Sequence, residues 1–294
     1  MHFDIETLKL FILVVEHGSI TAASEPGNMV ASAISRRLAE LEQSAGIALL
    51  RRLSRGVEPT PAGRSLYAHA KTVMAQLHRI ECDISEHREG IQGTVRIWVN
   101  MTALCYYLPA QLKPFMSRYP GVQVELVERL SDEIPAAVAA GVADLGICAP
   151  TETTAGLSEA FFRDDPLVLI TPLDHPLAAR KHIRFEDALD ENHIMMQRGA
   201  SINTLSIRAA SAVNRHIRPT VQVTSFEAMR NMVSEGLGVA IIPEIALQGA
   251  DASRYSAIRL DDRWCNRQFK ILWNDNISQS TAVMRLLQHL RGND

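Results

Sequence analysis

Ser32, Ser35 and Arg36 stand at the i, i+3, i+4 spacing that puts three side chains on one face of a helix. Hydroxyls in such a row can meet phosphates or base edges, and a guanidinium can chelate guanine O6 and N7. Ala31 precedes the row, and Arg37 sits beside it, in reach of either phosphate or groove. Ile34, Leu38 and Leu41 occupy the opposite face, so a helix over about 31–44 would bury one side and offer the other. Arg51, Arg52 and Arg55 follow closely. Between Val30 and Ile80 there are eight Arg or Lys residues against Glu40, Glu42 and Glu58, a local excess of +5. The 294-residue chain as a whole carries −3, with an isoelectric point near 6.4. The average argues mildly against a polyanionic partner, and the local excess argues for one.

A second group of polar residues falls where strands give way to helices. These segments are Asn100-Met101-Thr102, Arg129-Leu130-Ser131, the run from Gln197 and Arg198 through Gly199, Ala200, Ser201 and Ile202 to Asn203, and Thr224-Ser225-Phe226. In open α/β sheets ligands sit beyond the carboxyl ends of strands, and free N–H groups at helix N-termini favour anions. Polar side chains in these segments could hold a small polar molecule, with Arg198 to neutralise an anion. Each hydroxyl serves equally well as an ordinary helix cap.

No catalytic constellation emerges. Asp174-His175 and Asp190-Glu191-Asn192-His193 fall in expected turns and read as solvated surface. No nucleophile elbow, zinc-protease motif or phosphate loop is present. Cys82, Cys105, Cys148 and Cys265 are far apart, lack metal-ligand spacing and read as reduced thiols. No metal or cofactor is implied, and the chain reads as a non-enzyme.

The elements that must position these residues follow from period and punctuation. A length of 294 residues favours two domains, and 47% hydrophobic with 21% charged residues is ordinary for a globular chain. A helix is expected over 4–17 with Gly18 as its stop, then a short helix Ile20–Glu25 capped by Ser19 and ended by Pro26-Gly27. The helix from Ala31 ends at Gly46, and a small hairpin pairs Leu49–Leu53 with Val57–Pro59. Three short helices and a hairpin in about sixty residues describe a winged helix-turn-helix. Thr60-Pro61 opens a long helix on which Leu66, Ala70, Val73, Leu77, Ile80 and Ile84 repeat in steps of four and three. That seam predicts self-pairing, with packing on its own domain as the alternative. Glu86–Gly93 reads as a linker. Beyond it strands alternate with helices (Thr94–Val99, Leu108–Tyr119, Val122–Val127, Ile134–Ala140, Ala143–Cys148, Leu167–Thr171, Ile194–Gln197, Ser201–Ala212, Thr220–Val223, Phe226–Glu235, Val239–Ile242, Phe269–Trp273, Ser280–Leu290), predicting βαβ units and a largely parallel sheet. No apolar run spans a bilayer, and the acidic start Met1–Glu6 does not read as a secretory signal, so a cytoplasmic protein is expected.

The chain resembles the LysR-type transcriptional regulators along nearly its whole length. The resemblance is densest in Leu8-Lys9-Leu10-Phe11, Gly18-Ser19-Ile20-Thr21-Ala22-Ala23, Ser32-Ala33-Ile34-Ser35-Arg36, Arg55-Gly56-Val57 and Thr60-Pro61-Ala62-Gly63. Later it is carried by Leu108-Pro109, Tyr119-Pro120, Ala143-Asp144-Leu145-Gly146-Ile147 and the run Gly236–Pro243. It implies an α/β protein in three parts: a winged helix-turn-helix over 1–60, a dimerising linker helix over 61–92, and a two-lobed effector domain of the type-2 periplasmic-binding-protein fold over 93–294. Lobe I would hold about 93–165 and 267–294, and lobe II about 166–266. The resemblance further implies double-stranded DNA, a small-molecule effector, a homodimer or homotetramer, and RNA polymerase as a further candidate partner. Ala31, Ser32, Ser35, Arg36, Arg37, Arg52 and Arg55 become the candidate DNA contacts. Asn100, Met101, Thr102, Ser131, Gln197, Arg198, Ser201, Asn203, Thr224, Ser225 and Phe226 become the candidate effector contacts, with Thr102 where relatives place a hydroxyl on an effector carboxylate.

The motif departs from the family's pattern at four positions. Gly27 stands where a core leucine is usual, Val30 where a capping serine is common, and Ala31 where a base-reading glutamine is common, while Pro26 shortens the preceding helix. Ser32 or Asn28 is expected to cap instead, moving the helix start. These departures leave open a metabolite-binding protein with weakened, non-specific DNA binding.

Overall fold

The computed structural model describes residues 3–53, 56–89, 91–277 and 279–292. Two compact units are present, with their main division between Ser85 and Glu86.

In the first unit, α1 (Ile5–His17) opens on Asp4, whose Oδ1 accepts the Thr7 N–H at 2.9 Å, and stops at Gly18 in the left-handed region. Leu8, Leu10, Phe11, Ile12 and Val14 are buried, whereas Ile5 is exposed. The expected helix Ile20–Glu25 is instead a run of turns. Ser19 Oγ does accept the Ala22 N–H at 3.3 Å, but backbone bonds then alternate between four-residue and three-residue spans. Pro26 supplies no N–H and disfavours a helical residue before it, so a regular ladder cannot propagate. Gly27 packs so tightly that a Cβ there would lie 2.7 Å from the Ala23 carbonyl and 2.9 Å from Leu10 Cδ2. In this chain Leu10 thus lies against the position where the family usually has a leucine.

Helix α2 (Ala31–Ala45) begins where expected and ends at Gly46 in the left-handed region. Its N-cap is Val30, with no side-chain cap bond, so neither Ser32 nor Asn28 takes over as expected. Strands β1 (Leu50–Arg52) and β2 (Val57–Pro59) pair antiparallel, with Leu50 opposite Pro59 and Arg52 opposite Val57. Glu42 of α2 fixes the approach to this wing, accepting the N–H groups of Leu49 and Leu50 at 2.7 and 2.9 Å. Thr60 Oγ1 then caps α3 (Pro61–Glu89) through the Gly63 N–H at 3.0 Å. The helix runs to Glu89, through most of the segment expected as a linker, because nothing between Glu86 and Glu89 breaks it.

The core of this unit gathers Leu10, Phe11, Val14, Ile34, Leu38, Leu41 and Leu49. Leu8 and Ile12 pack with Ala70, and Leu66 joins both clusters. The expected seam is therefore divided. Leu66 and Ala70 are engaged by their own domain, which corrects the reading of an unbroken self-pairing stripe. Val73 and Ile80 are 42% and 54% exposed, and Leu77 is half-buried. The side chain of Ile84, like Arg55, lies outside the described residues.

In the second unit, β3 (Gly93–Val99) pairs parallel with β4 (Val122–Glu128) and β5 (Leu145–Cys148). One helical run carries the chain from Met101 through a π-turn, Ala103–Tyr107, into α4 (Leu108–Arg118). Pro109 explains the π-turn. It has no N–H to give and its ring crowds the carbonyl four residues back, so the turn widens and Leu108 bonds to Ala103 instead. Helix α5 (Ile134–Ala139) precedes β5. Strand β6 (Ser158–Thr171) then spans 14 residues, well before the expected Leu167 start.

Short β7 (His182–Ile183) leads to β8 (Asn192–Met196), α6 (Ser201–Ala212), β9 (Arg218–Val223), α7 (Phe226–Ser234), β10 (Ala240–Pro243) and β11 (Ser256–Leu260). Strand β12 (Asn266–Trp273) and α8 (Thr281–Leu290) close the chain. The main sheet runs β4-β3-β5-β12-β6-β11-β7, with β10 also on β6. It is mixed, not largely parallel: β12 runs antiparallel to β5 and β6, and β6 antiparallel to β10 and β11. The physical reason is that β6 and β12 carry the chain between two lobes in opposite directions. Buried residues separate accordingly. Val95 to Phe162 and Phe269 to Leu290 form one core, and Leu167 to Cys265 the other. His193, read as a solvated turn residue, is buried in β8 with Nε2 2.9 Å from the Ala188 carbonyl, and burial lowers its pKa. No helix among the described residues is long and apolar enough to cross a membrane.

A Cβ on Gly63 would lie 1.9 Å from the Leu49 carbonyl, so α3 can cross the wing this closely only without a side chain there. Gly63→Ala is expected to destabilise the protein by roughly 1–3 kcal/mol, the usual cost of overpacking. An unchanged thermal midpoint by circular dichroism would contradict this close approach.

Candidate effector cleft and nucleic-acid interface

A cleft of about 430 Å³ opens between the two lobes of the second unit. One wall is Asn100, Met101, Thr102 and the segment Glu128–Ser131 of lobe I, and the other is Met196, Gln197, Ala200, Ser201, Ile202 and Phe226 of lobe II. The order of strand and turn explains the first wall. Asn100 follows β3 and turns its Oδ1 onto the Ala103 N–H at 3.1 Å, while its amide reaches Ser131 Oγ at 3.4 Å. Thr102, Ser131 and Ser201 are all buried. On the second wall, Ala200 caps α6 without a side-chain bond, which leaves the first N–H groups of that helix unclaimed by a cap.

Arg267 forms the floor, and the sequence reading had not singled it out. It lies directly opposite Asp165 in the antiparallel pairing of β12 with β6. The two side chains are 4% and 0% exposed. Arg267 Nε donates to Asp165 Oδ2 at 2.6 Å, and one terminal nitrogen lies 2.5 Å from the same oxygen. Nη1 donates to Ser201 Oγ at 3.0 Å, while Nη2, the nitrogen beside Asp165, also reaches Thr102 Oγ1 at 3.4 Å. Tyr107 donates to Asp165 Oδ1 at 3.0 Å. One guanidinium thus joins a crossover strand to a hydroxyl on each lobe. Burial pushes the Asp165 carboxyl above its ordinary value, against the pull of Arg267 and Tyr107. Burial, then the facing carboxylate, push the Tyr107 phenol well up, so it remains a donor.

Seven of the eleven expected effector residues line this cleft: Asn100, Met101, Thr102, Ser131, Gln197, Ser201 and Phe226. Four do not. Arg198 and Asn203 face a separate depression of about 580 Å³ with Arg215, His216 and Gln222. Gly199, in the left-handed region, turns the chain between Arg198 and the cleft wall, and the Asn203 amide is taken by the Met196 and Gln197 carbonyls. Thr224 is exposed, and Ser225 caps α7 through the Ala228 N–H at 3.2 Å. The arginines at the cleft are Arg129 and Arg267 in place of Arg198, with Glu128 and Glu133 also on its lining. Among the described residues no group of three His, Cys, Asp or Glu side chains is placed to hold a metal ion.

In the first unit, α2 buries Ile34, Leu38 and Leu41 and leaves Ser32 and Arg36 exposed. Arg36 makes a long pair with Glu40, 3.8 Å, one turn along the same helix. Arg52 of the wing donates to Ser35 Oγ at 3.2 Å, tying wing and helix into one polar face. Arg51 pairs with Glu58 across the hairpin. Arg37 departs from its expected role. It donates to Asp4 at 3.4 Å and to Thr7 at 3.3 Å, so it braces the start of α1.

Residues 88–294 match the family described as the LysR substrate binding domain, and residues 5–64 match the lysR family of bacterial regulatory helix-turn-helix proteins. The chain belongs to the LysR family of transcriptional regulators. The RuBisCO operon transcriptional regulator of Allochromatium vinosum is 28% identical over 243 residues, covering 82% of this chain and 80% of that protein. CbnR complexed with its target DNA superposes with a TM-score of 0.73 at 19% identity, over 99% of this chain and 100% of that one. The regulatory domain of Synechocystis CcmR in complex with 2-PG superposes with a TM-score of 0.63 at 25% identity, over 68% of this chain and 97% of that one.

Within this LysR chain a legible signal did exist for Arg267. Arg267, Phe269 and Ile271 share one parity of β12, and all three are buried. A charged residue on the buried parity of a strand demands a buried partner. Starting that strand at Phe269 hid the signal. The uncapped α2 is the complementary opportunity. Val30 is 68% exposed and contributes little packing. Val30→Ser is expected to supply the missing N-cap bond and stabilise the first unit by about 1 kcal/mol. An equal or lower melting temperature would count against Val30 as the N-cap.

Proposed function

We propose that this regulator reads an interrupted inverted repeat with α2 and reports a small polar or anionic metabolite held in its interlobe cleft. The observation that carries the reading is the exposed face of α2. Ser32, Ser35 and Arg36 stand opposite a fully used apolar face, with Arg52 of the wing bonded to Ser35. A helix so placed can enter a major groove, its N-terminal residues facing base edges. The CbnR complex supports DNA as partner by analogy of fold.

Pairing of α3 with a second copy, through Val73, Leu77 and Ile80, would bring two such helices to two half-sites. Metabolite binding favours one lobe arrangement over another, and DNA occupancy follows to the extent that the two arrangements differ in affinity. The 2-PG complex of the CcmR regulatory domain supports a small molecule as effector. The uncapped start of α2 favours a second reading, in which base discrimination is weak and phosphate contacts dominate.

The two readings separate on salt. Fragmented genomic DNA retained by the full chain at near-physiological salt is expected to be enriched in a few sites sharing an interrupted inverted repeat. Uniform retention that vanishes as salt rises would establish the second reading. Arg36→Ala together with Ser35→Ala is expected to weaken retention of such a site at least tenfold, with the melting temperature unchanged. Val73→Asp with Ile80→Asp is expected to halve the mass by light scattering, and an unchanged mass would remove α3 as the pairing element.

A further inference from the structure

We propose that Glu16 is a specificity-determining joint: by locking α3 to α1 through Tyr67 and Lys71, it fixes the spacer length of the inverted repeat that two paired copies accept. The proposal rests on α3 being the pairing helix and α2 the reading helix. Helix α1 connects those two. Phe11 and Val14 share one core cluster with Ile34 and Leu38 of α2. Leu8, Ile12 and Glu16 follow at four-residue steps along another side of α1, the spacing of a single helix face. Leu8 and Ile12 pack with Ala70 of α3, and Leu66, Tyr67 and Met74 pack against that cluster. Apolar burial is non-directional, and Ala70 presents one methyl group, so this contact alone leaves the crossing angle soft. Glu16 supplies the direction. Its Oε1 accepts the Tyr67 hydroxyl at 2.8 Å and the Lys71 ammonium at 2.9 Å, two donors one turn apart on α3. Partial burial pushes the Glu16 carboxyl up, but Lys71 and Tyr67 pull it down further, so it lies below its ordinary value. The oxygen stays charged, and both donors stay engaged.

Small changes at this joint are amplified on DNA. In a two-fold dimer with half-sites one helical turn apart, each reading helix stands about 17 Å from the symmetry axis. Over a lever of that length, a tilt of about 10° between α1 and α3 moves α2 by about 3 Å, close to one base-pair step. Val73, Leu77 and Ile80 lie beyond Lys71 on α3, so pairing through them leaves the angle at Glu16 unrestrained. Glu16 binds α3, whereas Ser32, Ser35 and Arg36 lie on α2, so spacer choice and base choice can be separated by experiment.

The probes are duplexes selected by the full chain from random-sequence DNA. The recovered inverted repeat, and copies whose spacer is one or two base pairs longer or shorter, are titrated by fluorescence anisotropy. The unaltered protein is expected to prefer the selected spacer at least tenfold over its neighbours. In Glu16→Ala this preference is expected to fall to threefold or less, with the half-site sequence unchanged when the selection is repeated. Tyr67→Phe with Lys71→Met removes both donors and keeps the apolar contact. It is expected to relax the spacer in the same way, so the test does not depend on one variant folding. A loss of affinity by one common factor at every spacer, with the preference intact, would make Glu16 a packing residue and overturn the proposal. Full affinity and full preference in both variants would overturn it as well, and the paired reading would stand. If the selected DNA carries no paired half-sites, or the unaltered protein ignores the spacer, the inverted-repeat reading falls and the joint falls with it.

Discussion

Two strands cross between the lobes of the larger unit, and one buried ion pair stands where they face each other. Arg267 and Asp165 are registered opposite one another on β12 and β6, both nearly without solvent contact. Buried pairs add little net stability, because desolvation offsets the attraction, but leaving either partner alone costs about 3–5 kcal/mol. The pair therefore acts as a constraint more than a source of stability. It stands at the crossover and directs a guanidinium to one hydroxyl on each lobe, Thr102 and Ser201. Tyr107 belongs to the same arrangement, and the π-turn forced by Pro109 ends on that tyrosine.

The smaller unit is organised by a different economy of contacts. Glu42 links the end of α2 to the wing, and Arg52 links the wing back to Ser35. The exposed face of α2 is thereby held by hydrogen bonds on one side and by Ile34, Leu38 and Leu41 on the other. Arg37 is the counterexample among the arginines. Its neighbours in sequence suggested a groove contact, yet Asp4 and Thr7 receive it. A guanidinium beside an N-cap carboxylate at a helix start has a nearer partner than solvent-borne phosphate.

Much of this was legible from periodicity and punctuation. Helices ended by Gly18 and Gly46, or opened by Thr60-Pro61, lie where those residues imply, because their backbone preferences are local. What escaped depended on distant partners. The Ile20–Glu25 helix failed because Pro26 and the closely packed Gly27 act on the preceding turn. The sheet was misread as largely parallel because strand direction is set by a crossover between lobes, which no single window contains. Arg198 was read as the cleft arginine because proximity in sequence to a helix start was visible, whereas the pairing of residues 165 and 267 was not, so Arg267 went unnoticed. Leu66 and Ala70 fitted a heptad in sequence, but α1 had already claimed them.

Strand β6 belongs to both lobes. Its first half pairs with β12 beneath one core, and its second half pairs with β10 and β11 beneath the other. Phe162 is buried in the first core and Leu167 in the second, five positions apart on one continuous strand. Neither lobe can lose its structure without stripping a strand from its neighbour. The two lobes are thus expected to melt in a single cooperative transition, although their cores are separate. Substitutions deep in lobe II would then lower the stability of lobe I as well, and heat would not produce a half-folded effector domain.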